Sequence, residues 1–203
     1  MLNFEKQYYN EKIKLICGVD EAGRGPLCGP VVASAVILKE DFYCELINDS
    51  KKMSEKDREK AYKIVLKDAL AIGISYISSS EIDKINIYEA SRKAMINAIK
   101  NLKIKPNLIL TDAMPIRSLD IEVIPIIKGD AKCECIAAAS IIAKVSRDRY
   151  MKAISKKYPG YDLENNKGYG TKKHLEALKK YGPIPNFHRF TYAPIKGEQL
   201  KLF

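Results

Sequence analysis

At 203 residues with 46% hydrophobic content, the chain has apolar material for one sizeable core, and its length favours a single domain, residues 1–203, over two. A formal net charge of +10 favours a polyanionic partner, nucleic acid ahead of an anionic membrane. No apolar run approaches the roughly 20 residues of a membrane span, and the opening MLNFEKQYYNEKIK is too charged for a signal peptide, so the expected location is the cytoplasm.

The first element lies within Ile13 to Val36. Leu15, Cys17 and Val19 alternate with Lys14, Ile16 and Gly18, the period-two signature of a strand, and the run ends in Asp20 and Glu21, followed by Gly23, Arg24, Gly25 and Pro26. Neighbouring strand side chains point to opposite faces, so both acids reach one cation only if the chain leaves the strand between them, as the nearby glycines allow. An Asp-Glu pair before glycine is more commonly a solvated turn. That reading leaves Arg24 unexplained: flanking glycines let backbone approach a ligand, and arginine offers planar donors to phosphate. A cation site beside an anion site is typical of phosphoryl chemistry.

Val31 to Leu38 is predicted as a second strand. Ser54 with Asp57 then makes a capping-box-like start to a helix from about Glu55 to Leu70, with Ala61, Tyr62, Val65, Leu66 and Ala69 as its buried stripe. Just before it, Asp49-Ser50-Lys51-Lys52 reads as a solvated turn or as a grip on phosphate. Ile72, Ile74 and Tyr76 alternate as a third strand. Asn86 is a cap candidate for a helix from Ile87 to Leu102, whose Ala90, Ala94 and Ala98 face suits close packing on a sheet.

After Pro106, the apolar run Leu108-Ile109-Leu110 reads as a strand covered on both faces and ends at Asp112. Ile121 to Ile127 is a further strand, placed at an edge by Pro125. Asp130 follows it, in position to cap a long buried helix running from Ala131. Tyr158 to Gly170 reads as a loop able to lie against a ligand, Thr171 starts a helix ending near Gly182, and Pro183 onward is an irregular C-terminal segment. The five cysteines, Cys17, Cys28, Cys44, Cys133 and Cys135, form no C-x-x-C, and His174 and His188 lie far from them in sequence, which argues against zinc and for reduced, mostly buried thiols.

Four acids at element boundaries of a mixed α/β pattern match the way open sheets gather ligands outside the carboxyl ends of their strands. Oxygen-only ligands point to Mg²⁺ or Mn²⁺. Two such ions can activate a water and stabilise the leaving oxygen of a phosphodiester.

The segments GVDEAGRGPLCGPVVASAV, NDSKKMSEKDRE, NIYEASRKAM, KGDAKCECIAAASIIAKVSRDRYM and NKGYGTKKHLEALKKYGP, in that order and over most of the chain, resemble the bacterial ribonuclease HII family of type 2 ribonucleases H. The resemblance implies a ribonuclease H-like α/β fold: a five-stranded mixed sheet flanked by helices, with a helical C-terminal extension. It implies an endonuclease that hydrolyses the RNA strand of RNA–DNA hybrids, also 5′ to single ribonucleotides in duplex DNA, leaving 3′-hydroxyl and 5′-phosphate ends. Carried over by position, Asp20, Glu21, Asp112 and Asp130 are the catalytic, metal-binding acids. Gly23, Arg24 and Gly25 read the ribose 2′-hydroxyl, Tyr169 packs on the sugar at the RNA/DNA junction, and Lys51, Ser140 and Lys144 are weaker substrate contacts.

Ala113 stands where the family often has glycine, Cys133 and Cys135 replace other small or polar residues, and NFHRFTYAPI only approximates a family run, so His188 receives no role. Two rivals stand beside this reading. A relative like ribonuclease HIII carries an added N-terminal domain for which there is no room before Ile13, and a non-enzymatic hybrid binder would gain nothing from clustered negative charge. The terminal Gln199, Leu200, Lys201, Leu202 and Phe203 resemble a sliding-clamp docking peptide, tethered by Lys196-Gly197-Glu198. A monomer is expected.

Overall fold

The computed structural model describes residues 4–47 and 53–199. Five strands form one mixed sheet: β1 (Ile16–Ala22), β2 (Val31–Ile37), β3 (Ala71–Ile77), β4 (Leu108–Asp112) and β5 (Val123–Ile126), in the order β3-β2-β1-β4-β5. β1 runs antiparallel to β2 and parallel to β4, which runs parallel to β5. The parallel register pairs Val19 with Thr111, so the carboxyl ends of β1 and β4 open on one rim, with Asp20 and Asp112 each one residue further on. Pro125 sits on the edge strand, as its missing N–H requires.

One face of the sheet is covered by α1 (Glu55–Asp68) and α3 (Glu134–Ser155), which bury Ala61, Val65, Ile136, Ile141 and Ile142 against Ile16, Val36 and Leu110. The other is covered by α2 (Ser79–Lys100), whose Ala90, Ala94 and Ala98 pack on Cys17, Val19 and Ala35. α3 lies so close to β1 that a Cβ on Gly18 would sit 2.1 Å from the Cys135 carbonyl carbon. Only glycine fits there.

Ser54 caps α1 through its Oγ, which accepts the Asp57 N–H at 3.1 Å. Leu66 departs from the expected buried stripe and is 49% exposed. On β3 the buried positions are Ala71, Gly73, Ser75 and Ile77, while Ile72 and Ile74 are half-buried and Tyr76 is exposed. Asn86 caps as expected, its Oδ1 accepting the Glu89 N–H at 3.1 Å, but a further helical limb starting at the Ser78 cap precedes it, and the two meet at a kink where Asn86 has φ of 66°.

The remaining helices are α4 (Leu163–Asn166), α5 (Lys172–Tyr181) and α6 (Ala193–Gln199). Thr171 caps α5, accepting the His174 N–H at 3.4 Å. They enclose a third core in which Leu27, Cys28 and Met151 meet Leu178, Ile184, Phe187 and Ile195. The C-terminal segment is therefore irregular only as far as Tyr192, and Lys196 to Glu198 belong to a helix where a flexible tether was expected.

Candidate active site

β1 continues through Asp20 and Glu21 to Ala22, so the chain does not leave the strand between the acids. Strand alternation then turns Asp20 to the α3 side, where Ser140 hydrogen-bonds it, and its Oδ1 accepts the Glu21 N–H at 2.7 Å. Asp112 ends β4 with its Oδ1 held by the Gly129 N–H at 2.8 Å. Asp130 lies in a 3₁₀ turn, Gly129–Ala131, and not at the helix start; α3 begins after Cys133, which occupies the cap position. Carboxylate oxygens of Asp20, Asp112 and Asp130 all lie within 4.8 Å of one another. Glu21 stands outside this triad, with Oε1 3.3 Å from Arg24 Nη1.

Burial first, then the charges of Glu21 and Asp112, push the Asp20 carboxyl well above its ordinary range. Glu21 is also raised by burial, against the pull of Arg24. Clustered acids with this electrostatic frustration fit a hard divalent cation: the donors are carboxylate oxygens, they come from three element ends, and a cation relieves their repulsion.

Asp20, Glu21 and Asp112 line a 310 Å³ cleft whose other walls include Gly23, Arg24, Gly25, Ser140, Lys144 and Tyr169. Gly23 has φ of +98°, and a Cβ there would meet Arg147 Nε at 2.1 Å, so the loop follows a path open only to glycine. Tyr169, 45% exposed, faces Gly25 across 3.7 Å from its Cε1 to the site of an added Cβ. Lys144 lines the cleft while its Nζ pairs with Asp148 at 2.8 Å, one helical turn on. Lys51, Leu200, Leu202 and Phe203 lie outside the described residues, and Gln199 is placed only as the last residue of α6.

Sequence reasoning missed two buried arginines. Arg147 reaches from α3 to the carbonyls of Pro30, Lys167 and Cys28 at 3.0, 3.0 and 3.2 Å. Arg189 holds the other side of the same loop. The signal for Arg147 was its spacing seven residues beyond Ser140, two turns along one helix face.

The structure also brings together Cys28, His174 and His188, which sequence distance had separated. Hydrogen bonding sets their chemistry. The Ile184 N–H donates to His188 Nδ1 at 2.8 Å, so the proton of a neutral His188 sits on Nε2, 3.1 Å from His174 Nε2. His174 then carries its proton on Nδ1 and donates to the Tyr169 carbonyl at 2.9 Å. Every ring nitrogen is used, which leaves no imidazole lone pair for a metal, and burial pushes the Cys28 thiol up to about 12. The pair is a neutral relay that anchors Tyr169.

Burial pushes both imidazoles down, and His188, facing His174, to about 4. The unfolded chain therefore takes up protons that the folded chain refuses. This stability is complete above the unfolded value near 6.5 and is lost as pH falls toward 4, by up to about 3 kcal/mol for His188. The chain has two histidines, so their ring nitrogens are separable by NMR. At neutral pH the two rings are expected in opposite tautomers, with His188 still neutral at pH 5.5, whereas a His188 ring titrating near 6.5 would disprove the relay.

The family model for Ribonuclease HII matches residues 17–195. The chain is 54% identical over 199 residues to Ribonuclease HII of Bacillus subtilis (strain 168), spanning 97% of this chain and 76% of that one. Among solved structures it is similar to ribonuclease H2 from Pyrococcus horikoshii OT3, at 28% identity and a TM-score of 0.79 over 92% of this chain and 98% of that one. It is also similar to a chain of the PCNA:RNase HII complex from Archaeoglobus fulgidus, at 26% identity and a TM-score of 0.74 over 88% and 95% of the two chains.

Proposed function

The chain belongs to the ribonuclease HII family, an endoribonuclease acting on RNA–DNA hybrids, and on that premise we propose that Asp20, Asp112 and Asp130, with Glu21, hold Mg²⁺ or Mn²⁺ at the sheet rim. When bound, such ions make a water nucleophilic near neutral pH and stabilise the leaving oxygen of the phosphodiester. Ser140 orients the Asp20 carboxylate and the Gly129 N–H orients that of Asp112. Gly23, Arg24 and Gly25 receive the ribose 2′-hydroxyl, the feature by which a protein tells RNA from DNA. Tyr169, held from behind by His174, packs against the sugar at the junction. Cleavage falls 5′ to the ribonucleotide and leaves 3′-hydroxyl and 5′-phosphate ends.

The observation that supports this reading is the convergence of three carboxylates within 4.8 Å, two of which, Asp20 and Asp112, share one cleft with a glycine-arginine-glycine loop. A duplex carrying one ribonucleotide is expected to be cut on its 5′ side with Mg²⁺ or Mn²⁺, and to stay intact with chelator or when the ribonucleotide is replaced by its deoxy form. Undiminished cleavage in chelator would refute the metal assignment.

We further propose that the tail from Gln199 to Phe203 docks on a sliding clamp, supported by its peptide resemblance and by the clamp-bound state of the Archaeoglobus relative. α6 would deliver the tail as a short helical arm. Truncation after Glu198 is expected to abolish binding to the clamp in titration while leaving nuclease activity unchanged; equal binding by both forms would remove the proposal. Among the described residues no helix is long and apolar enough to cross a membrane, and we place the enzyme in the cytoplasm as a monomer.

A further inference from the structure

Arg189 is fully buried behind the Gly23–Gly25 loop. Its Nη2 donates to the Gly23 carbonyl at 2.6 Å and the Gly29 carbonyl at 2.9 Å, its Nη1 to the Arg24 carbonyl at 2.7 Å and Tyr192 Oη at 3.0 Å, and its Nε to Gly29 at 3.2 Å. Tyr192 Oη in turn donates to the Arg24 carbonyl at 2.6 Å. Burying a guanidinium against neutral oxygens is costly, and an apolar side chain would fill the space more cheaply. Its fixed planar fork is what three carbonyls from two stretches of one loop require.

The consequence follows from peptide geometry. In a trans peptide the carbonyl and the next N–H point in opposite directions. Drawing the Gly23 and Arg24 carbonyls onto Arg189 therefore turns the Arg24 and Gly25 N–H groups away from it, toward the cleft these residues line. Two successive N–H groups facing one way form a small concave donor site for an oxygen.

We propose that Arg189, steadied by Tyr192, is the positioning residue for ribose recognition: it sets the orientation of the two peptide planes whose N–H groups meet the 2′-hydroxyl. The proposal rests on the reading that this loop receives the 2′-hydroxyl. It also gives the segment around His188 a purpose, because His188 secures Tyr169 through His174 while its neighbour secures the loop, and Cys28 and His188 pair backbone to backbone between them.

The test compares the full-length protein with Arg189→Lys, which keeps the charge and loses the fork. Affinity is measured in chelator, so that nothing is cut, for a duplex with one ribonucleotide and for its all-deoxy twin. Arg189→Lys is expected to lower the preference for the ribonucleotide duplex by about tenfold, the worth of one or two hydrogen bonds, with unchanged affinity for the all-deoxy twin. An undiminished preference, or an equal loss on both duplexes, would overturn the proposal. No preference in the unaltered protein would instead overturn the reading of the loop itself. If Arg189→Lys does not fold, Tyr192→Phe decides: it removes one grip on the Arg24 carbonyl and is expected to lower the preference about threefold, and an unchanged preference again overturns the proposal.

Discussion

Asp20→Asn and Asp112→Asn are each expected to lower kcat on the order of a thousandfold, about 4 kcal/mol of barrier, while making the metal-free protein more stable. The two effects share one cause. Asp20 is buried beside Glu21 and Asp112, and its carboxyl is raised well above the ordinary range. Its contribution to stability is present in acid, below the unfolded value near 4, and is lost as pH rises through the folded value. At neutral pH, without metal, the ionised acid opposes folding, and the neutral isostere relieves burial and repulsion together, by about 1 kcal/mol or more. With Mn²⁺ or Mg²⁺ added the order should reverse, because the intact site gains stability by binding that the variant loses. Thermal melts with and without metal, beside turnover on a hybrid, check both halves. A variant that turns over normally, or that melts lower than the parent in chelator, would show that these acids are not a strained metal cradle.

Gly18→Ala is expected to cost about 3 kcal/mol or more, the upper end for overpacking a core. The new Cβ would lie 2.1 Å from the Cys135 carbonyl carbon, 2.3 Å from its oxygen and 2.4 Å from the Ile136 nitrogen. All three are backbone atoms of a helix start, so no side chain can rotate out of the way and α3 must lift from β1. Asp20, two residues on, and Ser140, less than two turns along α3, sit on the two surfaces being separated, so activity should fall along with stability. Ile16→Val on the same strand face, expected to cost about 1 kcal/mol, is the control for simple loss of packing. Urea midpoints of the two variants that fall close together would show that the contact yields.

The strands and the acids were legible because hydrophobic periodicity ends abruptly at each acid. β1, β2 and β4 and the helix capped by Thr171 stand where pattern and capping chemistry put them. Alternation also located β3, and burial along it alternates too, although in the opposite phase to hydrophobicity: the buried positions include Gly73 and Ser75, while the more apolar Ile72 and Ile74 are half-buried. Asp130 resembled a helix cap because an acid before a buried helix has that ordinary use, and only the fold shows it turned toward Asp20 and Asp112. The limb before Asn86 was hidden in the polar run SSSEID, whose capping serine looks like loop. Arg189 and the histidine relay were not readable at all, and Arg147 left only its helical spacing from Ser140: arginine defaults to the surface, and the pairing of His174 with His188 depends on a third core assembled from distant segments.

α3 touches both halves of the cleft. Ser140 meets Asp20 at the chemical end, and Arg147, seven residues later, braces the loop at Gly23. Seven residues of helix span about 10 Å with almost no give, so on the proposed reading the helix would work as a gauge block between the place where a phosphodiester is cut and the place where a sugar is inspected. Which phosphate is cut, counted from the inspected sugar, would then be written into the pitch of a single rigid rod. Adding or deleting one residue between Ser140 and Arg147 would turn the far end by about 100° and set the two tasks out of step.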